Sequence, residues 1–470
     1  MTMIVQAVLG GLYFPSVLMQ RSHSEIRLMR ADSCDDLRSG LADAIAAGDL
    51  NRQVQLYQSA LNQAPDDHRL WTNYGNVHWL LGQVDEAVAA FRQACVLNPQ
   101  AVLGWRGLAH SLRDGRQFLA ALHALKRARA LEDSGLLAWS AGQLLLGLEQ
   151  YSEGYALAEH RLTLQELELY RPPQLPAGGL GLPRPGADGV VVFSEQGFGD
   201  SLQYLRWLVQ LLQQGWRVQL ELEPPLAPLA AEGFRWLGSA ADRLQVVAKQ
   251  TLPPPLPVGT TAVLSLLSLP HHLGAAPCTD SFQPQQRGHW QGYLRRSGWT
   301  PPVSGPGPRI GVLWASGRKD DDDFLAREYR QRSLPAEVLG PLLEGLKLQG
   351  AELVNLQFGA DQERADPWRH CFSAELAAGS DFLATADQAR ALDLVISVDT
   401  AMAHLCGAIG QQAWLLLPYA ADPRWLRARS HSAWYPSLRL WRQPAPHQWQ
   451  PVIQQLLAAV PAWWQQQRLS

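Results

Sequence analysis

Apolar and small residues recur at helical spacing from residue 36 to residue 165, and the arrangement itself repeats. Trp71, Trp105 and Trp139 stand 34 residues apart. Trp71 is followed by Gly75, Ala87, Phe91, Ala94 and Pro99, and Trp105 by Leu108, Ala109, Ala121, Leu125 and Ala128. An earlier partial unit holds Leu41, Tyr57, Ala60 and Pro65. Small residues let paired helices approach, large ones fill the gap left by the neighbouring unit, and the proline stops the second helix. Short turns at Gly48-Asp49, Gly82, Asp114-Gly115 and Gly147 separate the helices. The pattern predicts a stack of helix pairs that ends in the segment from Glu153 to Leu162.

The pattern changes after a linker at 166–189, dense in Pro and Gly from Arg171 to Gly189. Val190 to Gln196 is a short β-branched run ending in a glycine turn, GFGD at 197–200. A helix follows, with Leu202, Leu205, Val209 and Leu212 on one face and Gly215 at its close. Further strands are predicted from Val218 to Glu223, Leu244 to Ala248 and Thr261 to Pro270. A second composition break, Gly298 to Pro308, precedes another unit of the same kind. That unit has strands from Arg309 to Gly317, Ala351 to Gly359, Asp393 to Thr400 and Ala413 to Tyr419, with helices opening at Ala336 and Ala401. Such alternation implies parallel sheets with helices on both faces. The expected fold class is therefore α followed by α/β: a helical solenoid at 36–165, then two Rossmann-like units at 190–304 and 305–470. A cleft is expected between those units, at the C-terminal ends of their strands.

Charge and cysteine content narrow the classes. A net charge of −3 supplies no field for nucleic acid, and no basic stripe or aromatic platform is present. The five cysteines (Cys34, Cys95, Cys278, Cys371, Cys406) form no CxxC pair. That argues against a disulfide framework or a zinc site and for a reducing, cytoplasmic location. No run is apolar and long enough to span a bilayer, so an integral membrane protein is not expected. Residues 3–19 are apolar, but no Lys or Arg precedes them and no small-residue cleavage pattern follows. Residues 1–35 are read as a disordered or mis-assigned start rather than a secretory signal. The 34-residue helix–turn–helix period resembles the tetratricopeptide family, whose stacked repeats form superhelices.

Candidate chemistry collects where strands run into helices. In GFGD, Gly197 and Gly199 allow close backbone approach to a ligand, and the helix start carries a partial positive charge. Asp200 reads equally as a catalytic base projecting into the cleft or as an N-cap completed by Gln203. In SVDTAMAH, at 397–404, the first turn (Asp399, Thr400, Ala401) suits a diphosphate. His404 lies on the same face as Thr400 and leans towards that end. An ordinary cap with a buried, carbonyl-bonded His is the competing reading. Arg318 and Lys319 follow the first strand of the second unit and read either as phosphate contacts or as solvated loop cations. The aspartates at 320–323 contain a DxD pattern, but they sit in a polar loop, and no metal site is assigned. Arg332-Ser333 and Gln357 are expected on the cleft side of the second unit. A dehydrogenase is disfavoured, since no G-x-G-x-x-G follows the first strand.

Together the blocks SEQGFGDSLQYLRW, IGVLWASG, QRSLP, NLQFG, SVDTAMAHLCGAIGQQAWLLLPYAADPRWL and SAWYPSLRLWRQ carry a wider resemblance. Their order resembles bacterial tetratricopeptide proteins with a C-terminal heptosyltransferase-like domain of glycosyltransferase family 9. The architecture is also similar to that of protein O-linked N-acetylglucosamine transferases, which place such repeats before a GT-B module. The resemblance implies a GT-B fold whose second domain holds most of a nucleotide sugar. It implies that Asp200 is the base for an acceptor hydroxyl, and that Asp399, Thr400, Ala401 and His404 hold the donor diphosphate. It further implies metal-independent, inverting transfer, with the nucleotide-diphosphate sugar as co-substrate and no other cofactor. The repeats would recruit a protein or glycan acceptor, or a protein partner. The loop DDDDFLAREYR departs from the family pattern, so the cationic donor contact is not fixed on Arg318 or Lys319. The alternative is a non-catalytic repeat scaffold carrying a degenerate GT-B module.

Overall fold

The computed structural model describes residues 35–164, 189–250, 256–274, 292–300, 305–317, 323–377 and 379–469. The apolar N-terminal stretch, nearly all of the linker, Arg318, Lys319 and Asp320 to Asp322 lie outside the described residues.

The helical half is a stack of pairs: α1 (Asp35–Ala46) with α2 (Leu50–Gln63), α3 (His68–Leu80) with α4 (Val84–Leu97), α5 (Val102–Asp114) with α6 (Phe118–Leu131), and α7 (Gly135–Gly147) with α8 (Tyr151–Ala158). The repeat is physical as well as textual. The indole N–H of Trp71 donates to the Pro65 carbonyl at 2.7 Å, and that of Trp105 to the Pro99 carbonyl at 2.9 Å. Each indole thus ties the start of a pair to the turn before it. Trp139, in the last pair, is fully buried instead. Phe91 shows why small residues recur. A Cβ added to Gly75 would stand 3.0 Å from its ring, and one added to Gly107 would stand 2.1 Å away. The left-handed residues of the intra-pair turns are Gly48, Gly82, Arg116 and Glu149. The last two turns were expected at Asp114-Gly115 and Gly147. Their left-handed positions instead fall on charged residues whose side chains reach a loop of the α/β half: Arg116 donates to the Arg427 carbonyl at 2.9 Å, and Glu149 pairs with Arg429 at 2.6 Å.

Two parallel sheets follow. The first contains β1 (Gly189–Phe193), β2 (Arg217–Leu222), β3 (Leu244–Ala248) and β4 (Thr260–Ser265), in the order β3-β2-β1-β4. Along it run α9 (Phe198–Tyr204), α10 (Arg206–Gln213), α11 (Ala227–Gly233) and α12 (Leu269–Leu273). The single helix expected after GFGD is two, broken at Leu205. The strand expected through Pro270 stops at Ser265, whose hydroxyl accepts the Leu267 N–H and opens a tight turn, with Pro270 in the first turn of α12.

The second sheet contains β5 (Arg309–Leu313), β6 (Glu352–Asn355), β7 (Phe372–Glu375), β8 (Leu394–Val398), β9 (Ala413–Leu417) and β10 (Leu438–Arg442), in the order β10-β9-β8-β5-β6-β7. Its helices are α13 (Asp323–Arg332), α14 (Ala336–Leu348), α15 (Phe382–Arg390), α16 (Ala401–Ile409) and α17 (Gln450–Leu469). β8 and β9 are buried at every residue, as central parallel strands covered on both faces must be. In both sheets the strand order reverses once, between β1 and β4 and between β5 and β8. Ligands of open α/β sheets bind outside the strand ends at such reversals. No helix among the described residues is long and apolar enough to cross a membrane.

The repeats are fastened to both sheets. Arg161, beyond α8, donates to Glu195 at 2.6 Å and to Ser268 at 2.8 Å, and all three side chains are buried. Arg327 of α13 donates to Asp114 of α5 at 2.5 Å and to the Trp79 carbonyl at 2.8 Å. Phe324 stacks on Trp79, with ring centres 5.7 Å apart. Asp114 also accepts from the Trp79 indole and from Arg113. Burial works against its charge, but Arg113 and Arg327 outweigh that penalty and hold the carboxyl below its usual range.

Candidate functional site

The first half of the site is the turn after β1. Ser194 to Gln196 leave the strand, Gln196 takes a left-handed conformation (φ 62°), and Gly197 caps α9. Asp200 is therefore the third residue of the helix and not its N-cap, which corrects the sequence expectation. Its Oδ2 reaches back to accept the Gly197 N–H at 3.3 Å, the arrangement in which an acid on the first turn satisfies the cap's own N–H. Gln203 does not complete the box. Its Oε1 accepts from Arg424 at 3.0 Å, and Asp200 Oδ1 accepts from the same guanidinium at 2.8 Å. Asp200 is 1% exposed.

The second half is the turn after β8. Thr400 is the N-cap of α16, its hydroxyl accepting the Met402 N–H at 3.2 Å, with Asp399 just before it and Ala401 opening the helix. Burial pushes the Asp399 carboxyl up to about 6, against the opposing pull of Arg332 and Arg424. His404 lies one turn into α16 and is 3% exposed. Its Nδ1 is 2.8 Å from the Tyr435 hydroxyl, and its ring lies 5.2 Å from that of Trp425. Burial, reinforced by Arg424 and Arg206, keeps the imidazole pKa well below 6.5, so the ring is neutral at pH 7. His404 rests against the other motif: a Cβ on Gly199 would stand 2.8 Å from its Cδ2. The two motifs, some 200 residues apart in sequence, are thus in van der Waals contact.

Repeats and sheets share the space around these residues. A cavity of about 30 Å³ is walled by Trp139 and Gln143 of α7, Gln196 and Asp200 of the first sheet unit, and Arg424 and Trp434 of the second. A cavity of about 20 Å³ lies beside Arg113 of α5, with Glu328, Arg332, Asp399 and Asp422 around it. Gln357 lies at the end of β6. Its Oε1 accepts the N–H groups of Trp314 and Ala315 at 3.1 and 2.8 Å, and its amide donates to the Ala315 and Phe358 carbonyls. Its hydrogen bonds thus hold the loop after β5 in place. Ser333 accepts the Ser316 N–H at 3.2 Å, while the Ser316 hydroxyl is buried at the strand reversal without a hydrogen-bond partner among the described residues. No group of three or more His, Cys, Asp or Glu side chains gathers as metal ligands among the described residues.

Sequence reasoning missed Arg424 and Tyr435, although both lie inside the blocks that carried the resemblance. Neither has a local signal, because their partners Asp200 and His404 are distant in the chain.

Residues 68–111 match the sequence model of the tetratricopeptide repeat. The helical half therefore contains a tetratricopeptide repeat. Arrays of this kind present extended binding surfaces, so the repeats point to a protein partner. Protein FlbA of Caulobacter vibrioides is 25% identical over 463 residues, a match spanning 91% of this chain and 73% of FlbA. Among solved structures, MamA is 17% identical with a TM-score of 0.26, covering 29% of this chain and 77% of its own. The Sgt2 repeat domain from Aspergillus fumigatus is 21% identical with a TM-score of 0.24, covering 26% of this chain and 82% of its own.

Proposed function

We propose that the protein is a glycosyltransferase of GT-B architecture that moves a sugar from a nucleoside-diphosphate sugar to an acceptor hydroxyl. The observation that carries this reading is the meeting of two strand-to-helix turns, each at the strand reversal of its own sheet, with Gly199 against His404. On this reading the positive N-terminal end of α16 and the Thr400 hydroxyl hold the diphosphate. Asp200 takes the acceptor proton. The acceptor oxygen bonds to the anomeric carbon as the bond to the diphosphate oxygen breaks, and that electron pair leaves on the phosphate. Attack opposite the leaving group inverts the anomeric configuration. The helix N-terminus and the neutral His404 answer the departing charge, without need of a metal. Trp139 and Gln143 of the last repeat wall the cavity at Asp200, which supports a role for the repeats in presenting the acceptor or the partner that carries it.

Asp200→Asn tests the assignment. It is expected to lower transfer by about 100-fold or more while nucleotide binding survives. Transfer at the wild-type rate removes Asp200 from the role of base.

One observation favours a second reading, a non-catalytic repeat scaffold. Both carboxylate oxygens of Asp200 are already hydrogen-bonded, and the adjacent cavity of about 30 Å³ is water-sized. On that reading the folded protein binds partner proteins and no nucleotide.

A further inference from the structure

Arg424 stands where the two halves of the site meet. It lies in the tight turn Pro423–Trp425, beyond the C-terminal end of β9, and its side chain is 15% exposed. Its guanidinium is engaged on three sides, by Asp200 Oδ1 at 2.8 Å, Gln203 Oε1 at 3.0 Å and Asp422 Oδ1 at 3.2 Å. It also acts electrostatically on Asp399 and His404, the residues around the α16 cap. A side chain of the second sheet unit therefore occupies the carboxylate that the proposed transfer needs as a base.

We propose that Arg424 is a donor ligand with two alternative partners, Asp200 in the arrangement seen here and the diphosphate of the donor during transfer. The inference rests on the glycosyltransferase reading above. A planar guanidinium matches phosphate oxygens in a bidentate fork, and a diphosphate carries more charge than one carboxylate. Moving Arg424 towards the α16 N-terminus would release Asp200 Oδ1 for the acceptor proton at the moment the donor is in place. Base activation is thereby tied to donor binding.

Two features of the loop fit an element with a second arrangement. Leu426, two residues on, has φ 57° and ψ 165°, a strained region almost confined to glycine. Asp422 Oδ2 is buried without a hydrogen-bond partner among the described residues. Between them, Trp425 lies over His404. The strained residue, the unpaired carboxylate oxygen and the bridging cation therefore share one five-residue loop beside the candidate diphosphate site.

Calorimetric titration of the full chain with UDP, GDP, ADP and CDP, and with the matching nucleosides, tests the proposal. Arg424→Gln is expected to weaken the preferred diphosphate by about 10-fold or more and leave its nucleoside unchanged. Asp200→Asn removes the competing carboxylate and is expected to tighten the same diphosphate several-fold, a gain absent from the double variant. The gain from Asp200→Asn over the wild type is read even where Arg424→Gln does not fold, and a purely structural ion pair does not produce it. Wild-type binding that neither single variant alters overturns the Arg424 assignment alone. A folded wild type that binds none of the four diphosphates overturns the glycosyltransferase reading, and this inference with it.

Discussion

Gly199 and His404 meet where the two sheet units face each other, so close that a Cβ on Gly199 would stand 2.8 Å from His404 Cδ2. Each belongs to a turn at the strand reversal of its own sheet. The contact makes the two candidate motifs one site, and it makes glycine a requirement of packing at a helical position where alanine is otherwise preferred.

Gly199→Ala follows directly. Alanine gains about 1 kcal/mol of helix propensity, but its methyl overlaps a ring that is 3% exposed and fixed by Tyr435. Overpacking of this kind costs about 1–3 kcal/mol, so a net loss of stability is expected. Adding His404→Ala should restore the melting temperature towards that of His404→Ala alone. A Gly199→Ala protein that melts above the wild type contradicts the packing.

The junction between repeats and sheets depends on Asp114. Asp114→Ala leaves Arg113 and Arg327 buried and facing each other, and the loss of one partner from a buried ion pair costs about 3–5 kcal/mol. The expected result is earlier melting, with new protease cuts between α5 and α13. Replacing both partners, as Asp114→Leu with Arg327→Met, is expected to recover much of that loss. If the double variant melts no higher than Asp114→Ala, the ion pair is not what the junction requires.

Asp399 predicts a pH dependence. Its carboxyl is pushed up to about 6 in the fold from an ordinary 3.8. The folded protein holds this proton at pH values where the unfolded chain has released it. The group therefore favours folding most below about pH 4, and that contribution is lost as pH rises towards 6. Asp399→Asn keeps the shape without the charge. It should be more stable than the wild type at pH 7 by on the order of 3 kcal/mol, with the gap closing near pH 4. Melting curves from pH 4 to pH 8 read this out, and a gap independent of pH rules out Asp399 as its source. On the proposed function, that gain in stability is expected to come with weaker nucleotide binding.

Much of this architecture was legible in the chain. Local periodicity carries the helix pairs, because Trp71, Trp105 and Trp139 each begin a unit that must fit its neighbour. The β-branched runs and the Pro- and Gly-rich breaks located both α/β units. The turns GFGD and SVDTAMAH stood out because glycine and cap residues after an apolar strand have a short-range reason to be there. What stayed hidden depends on distance. No spacing rule joins Asp200 to Arg424, Asp114 to Arg327 or His404 to Tyr435. The cap of α9 was misplaced because Asp200 is a good cap by type, whereas backbone geometry gives that place to Gly197. Arg116 and Glu149 take the left-handed turn positions next to available glycines because their side chains reach residues 427 and 429, which local sequence does not disclose.

Nucleotide binding tests the central claim most directly. Wild type and the double variant Thr400→Ala with His404→Ala would be titrated calorimetrically with UDP, GDP, ADP, CMP and their sugars, each protein first shown to be folded. The glycosyltransferase account predicts micromolar affinity for one nucleotide, about −8 kcal/mol, that the double variant loses. A folded wild type that binds none of them contradicts it and leaves the repeat array as the working surface of the protein.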